Sequence, residues 1–300
     1  MLVGFREEDN PRYVADIEQC EVMTPELGPK VGKLARLLDT LRGRESVAQI
    51  EFAAGDAQTA LVFRHLQPLA EVDLAALRGF GEREGLAIYL QPGGNDSVYP
   101  LWPESPRLSF SLPGAAGVSA VELDFLPLDF VQVNARMNRK MVAQALELLA
   151  PEPGDRVLDL FCGLGNFSLP IARRVAAVTG VEGEHALVAR AAANARQNGL
   201  DNLDFHAANL FEDQRQASWA RQDWNKLLID PPRAGADQLL AYLPQPTAQR
   251  VVYVSCHPGS LARDAGILVH QHGFKLTVAG VMDMFPHTAH VESIALFERR

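Results

Sequence analysis

A chain of 300 residues with 47% hydrophobic and 22% charged side chains, a net charge of −9 and a mean hydropathy of −0.04 has the composition of a globular protein, not of a disordered one. No apolar run approaches the roughly 18 residues needed to cross a bilayer. The opening MLVGFREEDNPRY lacks the basic and apolar regions of a signal peptide, so a cytoplasmic protein with no membrane partner is expected.

At roughly 150 residues per domain the length suggests two domains, and the sequence changes character near residue 128. Residues 1–128 read as short mixed elements. A helical pattern covers about Glu26 to Leu41, strands cover Val47–Phe52 and Thr59–Phe63, a helix covers Val72–Glu84, and strands cover Leu86–Leu90 and Leu108–Leu112. The turn clusters QPGGND and LPGAAG separate them, and a small α+β domain with an antiparallel sheet is expected. This part also holds most of the acid, 11 Lys+Arg against 19 Asp+Glu, whereas residues 129–300 hold 17 against 18. That balance argues against strong non-specific nucleic-acid binding by charge alone, so any claim on RNA must rest on a site.

From residue 129 to 300 strand and helix alternate, starting with an amphipathic helix Ala135–Ala150 that places Met141, Ala145, Leu148 and Leu149 on one face. Strands are predicted at Arg156–Phe161, Ala177–Glu182, Leu203–His206, Lys226–Ile229, Arg250–Ser255, Phe274–Met282 and Glu292–Phe297. Two of the intervening helices end at glycine stops, Gly199 and Gly273. The expected fold is α/β, a doubly wound, mostly parallel, seven-stranded Rossmann-like sheet whose last strand turns back antiparallel.

Four stretches carry chemistry. VLDLFCGLGNFS at 157–168 is a buried strand, a glycine loop and a helix start, with Gly163 and Gly165 placed to let a ligand approach the backbone. The next strand ends in Glu182, a carboxylate able to accept both hydroxyls of a ribose. Such loops also mark dinucleotide enzymes, but Ser168 replaces the third glycine, which leans away from NAD. Cys162 reads as a small packing residue.

In LLIDPPRAG at 227–235, Asp230 ends a strand and two prolines stiffen its exit. VVYVSCHPGS at 251–260 puts Cys256 at a strand tip before a helix, where the helix dipole favours a thiolate. MDMFPHTAHVES at 282–293 brings Glu292 into the last strand, placed to act as a base, with His287 and His290 read as loop packing and capping groups and not as zinc ligands. The three cysteines, Cys20, Cys162 and Cys256, are odd in number and widely spaced, which fits neither a disulfide framework nor a CxxC metal site.

Taken in order, FVQVN, DLFCGLGNFSLP, GVE, NARQNGL, DPPRAG, VSC-x-P and DMFPHTAHVES make the chain resemble the RNA (uracil-5-)-methyltransferase family, and within it the branch acting on 23S ribosomal RNA. The resemblance covers nearly the whole chain. It implies an S-adenosylmethionine-dependent enzyme that methylates carbon 5 of a uridine in 23S rRNA. Gln132, Phe161, Asn166, Glu182, Asn209 and Asp230 would line the cofactor pocket, Cys256 would be the nucleophile and Glu292 the general base. A monomer is expected.

Three departures from the family stand out. His257 replaces the usual Asn after the nucleophile. The family's N-terminal TRAM domain would precede residue 1. Of the four cysteines that hold an iron–sulfur cluster in this branch only Cys20 matches, so residues 1–128 read as a remnant of that region and no cluster is expected on this chain.

Other nucleic-acid methyltransferases put a Cys or an aromatic after the fourth-strand proline, and Asp-Pro-Pro-Arg offers neither. A cofactor-binding module of the same family without turnover would share every motif. An NAD oxidoreductase does not account for the pairing of Cys256 with Glu292.

Overall fold

The computed structural model describes residues 1–7, 10, 12–114, 117–242 and 247–299; Ala115 and Ala116 of the LPGAAG turn lie outside the described residues. The chain forms two compact units, residues 1–110 with 125–129, and residues 111–124 with 130–300. No described helix is long and apolar enough to cross a membrane.

In the first unit, α1 (Val31–Thr40) and α2 (Glu71–Glu84) pack on a four-stranded sheet of β1 (Val47–Ala54), β2 (Thr59–His65), β3 (Leu86–Gln91) and β4 (Tyr99–Trp102), in that order. The first helix starts at Val31, later than its apolar pattern suggested, because Pro29 sits in a preceding turn of 3-10 helix. Its core joins Leu34, Leu37 and Leu38 to Leu61, Phe63, Leu77, Phe80 and Ile88. Two of the three strand pairs are antiparallel as expected. The third, β2 with β3, is parallel, because α2 intervenes as a crossover and returns the chain to the same edge.

Beyond it, β5 (Leu108–Leu112) and β6 (Val121–Phe125) pair with each other. Residues 111–124 belong with the second unit, although the change in sequence character near 128 placed them with the first. Side chains explain this. Asn194 Oδ1 accepts the Asp124 amide at 2.9 Å and Asn198 Oδ1 accepts the Glu122 amide at 2.9 Å, while their Nδ2 groups donate back to the carbonyls of the same two residues. An asparagine on one helix and the asparagine capping its end thereby satisfy the backbone of Glu122 and Asp124.

The second unit is built on α3 (Ala135–Leu149), β7 (Arg156–Leu160), α4 (Ser168–Ala172), β8 (Ala177–Glu182), α5 (His185–Gln197), β9 (Leu203–Ala207), β10 (Lys226–Ile229), α6 (Asp237–Tyr242), β11 (Arg250–Ser255), α7 (Pro258–His270), β12 (Lys275–Met282) and β13 (Glu292–Glu298). Strand order is β12-β13-β11-β10-β7-β8-β9, and β13 runs antiparallel to both neighbours. Central strands are apolar on both faces because helices cover both: Leu227 to Ile229 and Val251 to Val254 are all buried. On α3 the buried apolar residues are Met141, Val142, Ala145, Leu146 and Leu149, with Leu148 only half-buried. The helices before Gly199 and Gly273 stop there, with φ of 64° and 72°.

From β7 the chain winds outward through β8 to β9, then returns to β10 and winds the other way. The order therefore reverses between β7 and β10, and open α/β sheets bind ligands at the carboxyl ends of the strands flanking such a reversal.

Candidate active site

The register of the second sheet delivers the candidate residues to one edge. Leu160 pairs with Ile229, so Phe161 and Asp230 leave β7 and β10 side by side, and the Asp230 amide donates to the Leu160 carbonyl at 3.2 Å. Ser255 pairs with Ser293, so Cys256, just past the end of β11, and Glu292, at the start of β13, lie adjacent at the same edge. Because β13 is antiparallel, its beginning reaches the carboxyl edge of its neighbours. Glu182 ends β8, and Asn209 lies two residues past β9.

On the β7–β9 side the backbone makes the site. Phe161, Gly163 and Gly165 all have positive φ, 63°, 54° and 100°. A side chain at Gly165 would also stand 2.3 Å from Leu169 Cδ1. Phe161 is not glycine, so its left-handed conformation is strained by about 1–3 kcal/mol, which the surrounding structure must offset. The loop amides of Gly163 and Glu184 donate to the two oxygens of Glu182 at 3.1 and 3.0 Å.

Ser168, standing where a third glycine would be, is buried and donates to Asp159 Oδ2 at 2.5 Å. Asp159 Oδ1 is buried with no partner among the described residues. Burial pushes the Asp159 carboxyl up to about 7, with Glu182 reinforcing and Ser168 opposing. Cys162 is buried and its thiol is pushed upward by burial and then by Asp159 and Glu182, in keeping with a packing role.

The remaining cofactor candidates are held by local bonds. Asn166 exchanges a reciprocal pair of amide hydrogen bonds with Asn138 of α3, 2.9 and 3.0 Å. Asn209 accepts the Phe211 amide at 3.1 Å and donates to Glu212 at 2.8 Å. Gln132 is half-buried in the segment leading to α3, which Asn134 fixes by capping α3 and donating to the Met284 carbonyl. Phe211, not singled out from sequence, packs its ring 5.8 Å from that of Phe161. Its only sequence signal was an aromatic two residues after Asn209.

On the β10–β13 side acidic groups dominate. Glu292 is 2% exposed, and burial raises its carboxyl to about 7. Asp230 lies well above the carboxylate range because of burial, then Glu292, then Asp159. Cys256 is half-buried, and its thiol is raised, not lowered as a helix terminus alone would have it. Burial contributes most, Glu292 and Asp230 add to it, and Arg233 opposes.

His257 settles into the cap of α7, its Nδ1 accepting the Ser260 amide at 3.1 Å. An imidazole nitrogen here does the work of the amide oxygen of an asparagine cap. In the loop before β13, Arg233 Nη1 lies 3.3 Å from His290 Nδ1, and the His290 ring packs 5.5 Å from Phe285. His287 has a φ of 65°.

Cys20 lies in the first unit, half-buried, with its amide donating to the Gly28 carbonyl at 3.0 Å. Among the described residues no group of three or more His, Cys, Asp or Glu side chains is arranged to hold a metal ion.

The chain is 60% identical over 299 residues to the 23S rRNA (uracil(1939)-C(5))-methyltransferase RlmD of Xanthomonas euvesicatoria, and 58% identical to the protein of that name from Stenotrophomonas maltophilia. Each match covers all of this chain and 66% of the relative, so the chain spans just under two thirds of the length of the curated relatives it matches. Its fold is shared with the Pyrococcus abyssi tRNA (uracil-54, C5)-methyltransferase solved with S-adenosyl-L-homocysteine, with a TM-score of 0.72 at 22% identity over 99% of this chain and 72% of that one. The family model described as tRNA (Uracil-5-)-methyltransferase matches residues 122–300, from the second residue of β6 onward. The chain belongs to the tRNA (uracil-5-)-methyltransferase family.

Proposed function

We propose that the chain carries the catalytic machinery of an S-adenosylmethionine-dependent enzyme that methylates carbon 5 of a uridine in a cytoplasmic RNA, with 23S rRNA as the substrate class. What supports that substrate class is the likeness to relatives named as 23S rRNA enzymes, which match along the whole of this chain. The observation that carries the chemistry is the placement of Cys256 and Glu292 at one edge on adjacent strands, with Glu292 buried and its carboxyl near 7. A buried carboxyl of that kind is half-ionised at neutral pH and suited to taking a proton from carbon.

The residues present fit the cofactor. Glu182 offers a carboxylate to ribose hydroxyls, Phe161 and Phe211 offer an apolar wall to a purine, and the partnerless oxygen of Asp159 lies on β7 just before the glycine loop. Gln132, Asn166, Asn209 and Asp230 complete the proposed pocket. Burial raises the carboxyls of Asp159, Asp230 and Glu292, and a sulfonium cation bound near them would favour their ionised forms. When bound, S-adenosylmethionine supplies an electrophilic methyl group.

Carbon 5 of uracil is a weak nucleophile. Cys256, as thiolate, adds to carbon 6 and moves electron density onto carbon 5, which then accepts the methyl group. Glu292 removes the carbon 5 proton, and the electron pair released expels the Cys256 sulfur. The base must leave its RNA stack to reach the thiol. His257 holds the start of α7 beside the nucleophile through Ser260.

Incubation with S-adenosylmethionine and an RNA hairpin bearing 5-fluorouridine tests this, since fluorine cannot leave as a proton does. A covalent complex is expected with the unaltered chain and none with Cys256→Ala; equal complex formation by both would overturn the mechanism.

A further inference from the structure

The first turns of α7, the helix that follows Cys256, grip the segment that follows Asp230. Ser260 Oγ donates to the Arg233 carbonyl at 2.7 Å, and Arg263 Nη2 donates to the Ala234 carbonyl at 2.8 Å. The Asp264 carboxylate accepts the Ala236 amide at 2.6 Å. Asp264 is fully buried, and the same oxygen accepts the Tyr253 hydroxyl of β11 at 2.5 Å while the other accepts Arg263 Nε at 2.8 Å.

Gly235 closes the contact. Its φ is 84°, and a Cβ there would stand 2.4 Å from Arg263 Nη2 and 2.7 Å from Asp264 Oδ2. Three donors converge on one buried carboxylate, and only an acceptor-only group satisfies them all. Charge-assisted bonds of this kind are stronger than neutral ones and geometrically demanding. The reaction proposed above leaves Asp264 without a role.

We propose that Asp264, assisted by Ser260 and Arg263, is a positioning residue that locks the Arg233–Ala236 turn to the helix behind Cys256, fixing the nucleobase side of the crevice separately from the cofactor side. The inference rests on the reading of Cys256 as nucleophile for its consequence on rate, but not for the lock itself. Asp264→Asn keeps size and shape while turning one acceptor into a donor that faces an N–H.

Three readouts on the full chain test it: hydrogen–deuterium exchange across residues 231–242, S-adenosylmethionine affinity by calorimetry, and the rate of covalent complex formation with the 5-fluorouridine hairpin. Asp264→Asn is expected to speed exchange at Ala236 and slow complex formation by about tenfold or more each, with cofactor affinity held within about twofold. Tyr253→Phe, which removes one donor of three, should produce the same pattern at roughly two- to fivefold.

Unchanged exchange at Ala236 overturns the proposal, as does a parallel fall in cofactor affinity and complex formation, which would mark a general structural role. If Asp264→Asn does not fold, Ser260→Ala and Arg263→Ala each remove one grip with Asp264 in place, and the same readouts decide. If the unaltered chain forms no covalent complex, the functional reading fails while exchange at Ala236 still decides the lock.

Discussion

The two halves of the second sheet's carboxyl edge are built by different means. Around β7 to β9 the backbone itself is the device: Phe161, Gly163 and Gly165 take positive φ, the amides of Gly163 and Glu184 hold Glu182, and Ser168, which breaks the glycine pattern, is absorbed by a buried carboxyl. Around β10 to β13 the proposed chemistry rests on side chains: a half-buried thiol, two carboxyls pushed up by burial, and hydrogen bonds from α7 that hold the intervening turn. A ligand that varies little can be met by fixed amides. A reaction that moves a proton and forms a transient carbon–sulfur bond needs groups whose protonation can change.

If the halves are separable, damage to one should spare the other. Cys256→Ala should abolish turnover, a loss of roughly 10⁴-fold or more in single-turnover kinetics, with S-adenosylmethionine affinity by calorimetry unchanged. A large loss of affinity would show that the nucleophile side also builds the cofactor pocket.

Glu292→Gln should slow turnover by roughly 10²–10³-fold and accumulate adduct with ordinary uridine, visible by gel shift; normal turnover would remove Glu292 from the role of base. In the unaltered chain both groups act when deprotonated, Glu292 near 7 and Cys256 above its usual range, so the rate should rise with pH through about 7 without a falling limb from either. A decline between pH 7 and 8 would contradict these roles.

On the cofactor side, Glu182→Ala should weaken S-adenosylmethionine binding by roughly 10–100-fold while adduct formation at saturating cofactor stays close to normal. The smallest effects are on stability. Glu292 has a folded-state value raised above its unfolded one, so its contribution is full below about pH 4.5 and is lost as pH climbs through about 7. Glu292→Gln should therefore stabilise the chain by about 3 kcal/mol at pH 8 relative to pH 4, read by urea denaturation. Gly165→Ala, strained in φ and colliding with Leu169, should cost about 1–3 kcal/mol by the same measurement.

The parts of the molecule legible in the sequence were those with a short-range signal. Most strands of the large sheet are legible as apolar runs between helices, and the reversal of β13 follows from the missing helix between Met282 and Glu292. The strand ends bearing Glu182, Asp230 and Cys256 were readable because the residue after an apolar run is the one that leaves the sheet. Partnerships across long separations were not readable. Nothing local marks Asn194 and Asn198 as the anchors of β6, or Asp264 as the meeting point of Ala236, Tyr253 and Arg263. β4 was missed because Tyr-Pro-Leu-Trp is four residues long and contains a proline. The direction of the Cys256 shift was misjudged for a related reason: the helix terminus is adjacent in sequence, whereas the opposing carboxyls arrive from β10 and β13.

The insertion of β13 between β11 and β12 also has a consequence for the order in which the protein comes into being. Among the described strands it comes last in the sequence, yet β12 pairs with no other described strand and β11 waits for it on one side. The glycine loop, Glu182 and Cys256 all precede Glu292 in the chain, so the proposed proton acceptor, and with it the strand that brings Ala295 and Phe297 into the core, is synthesised after the rest of the candidate site.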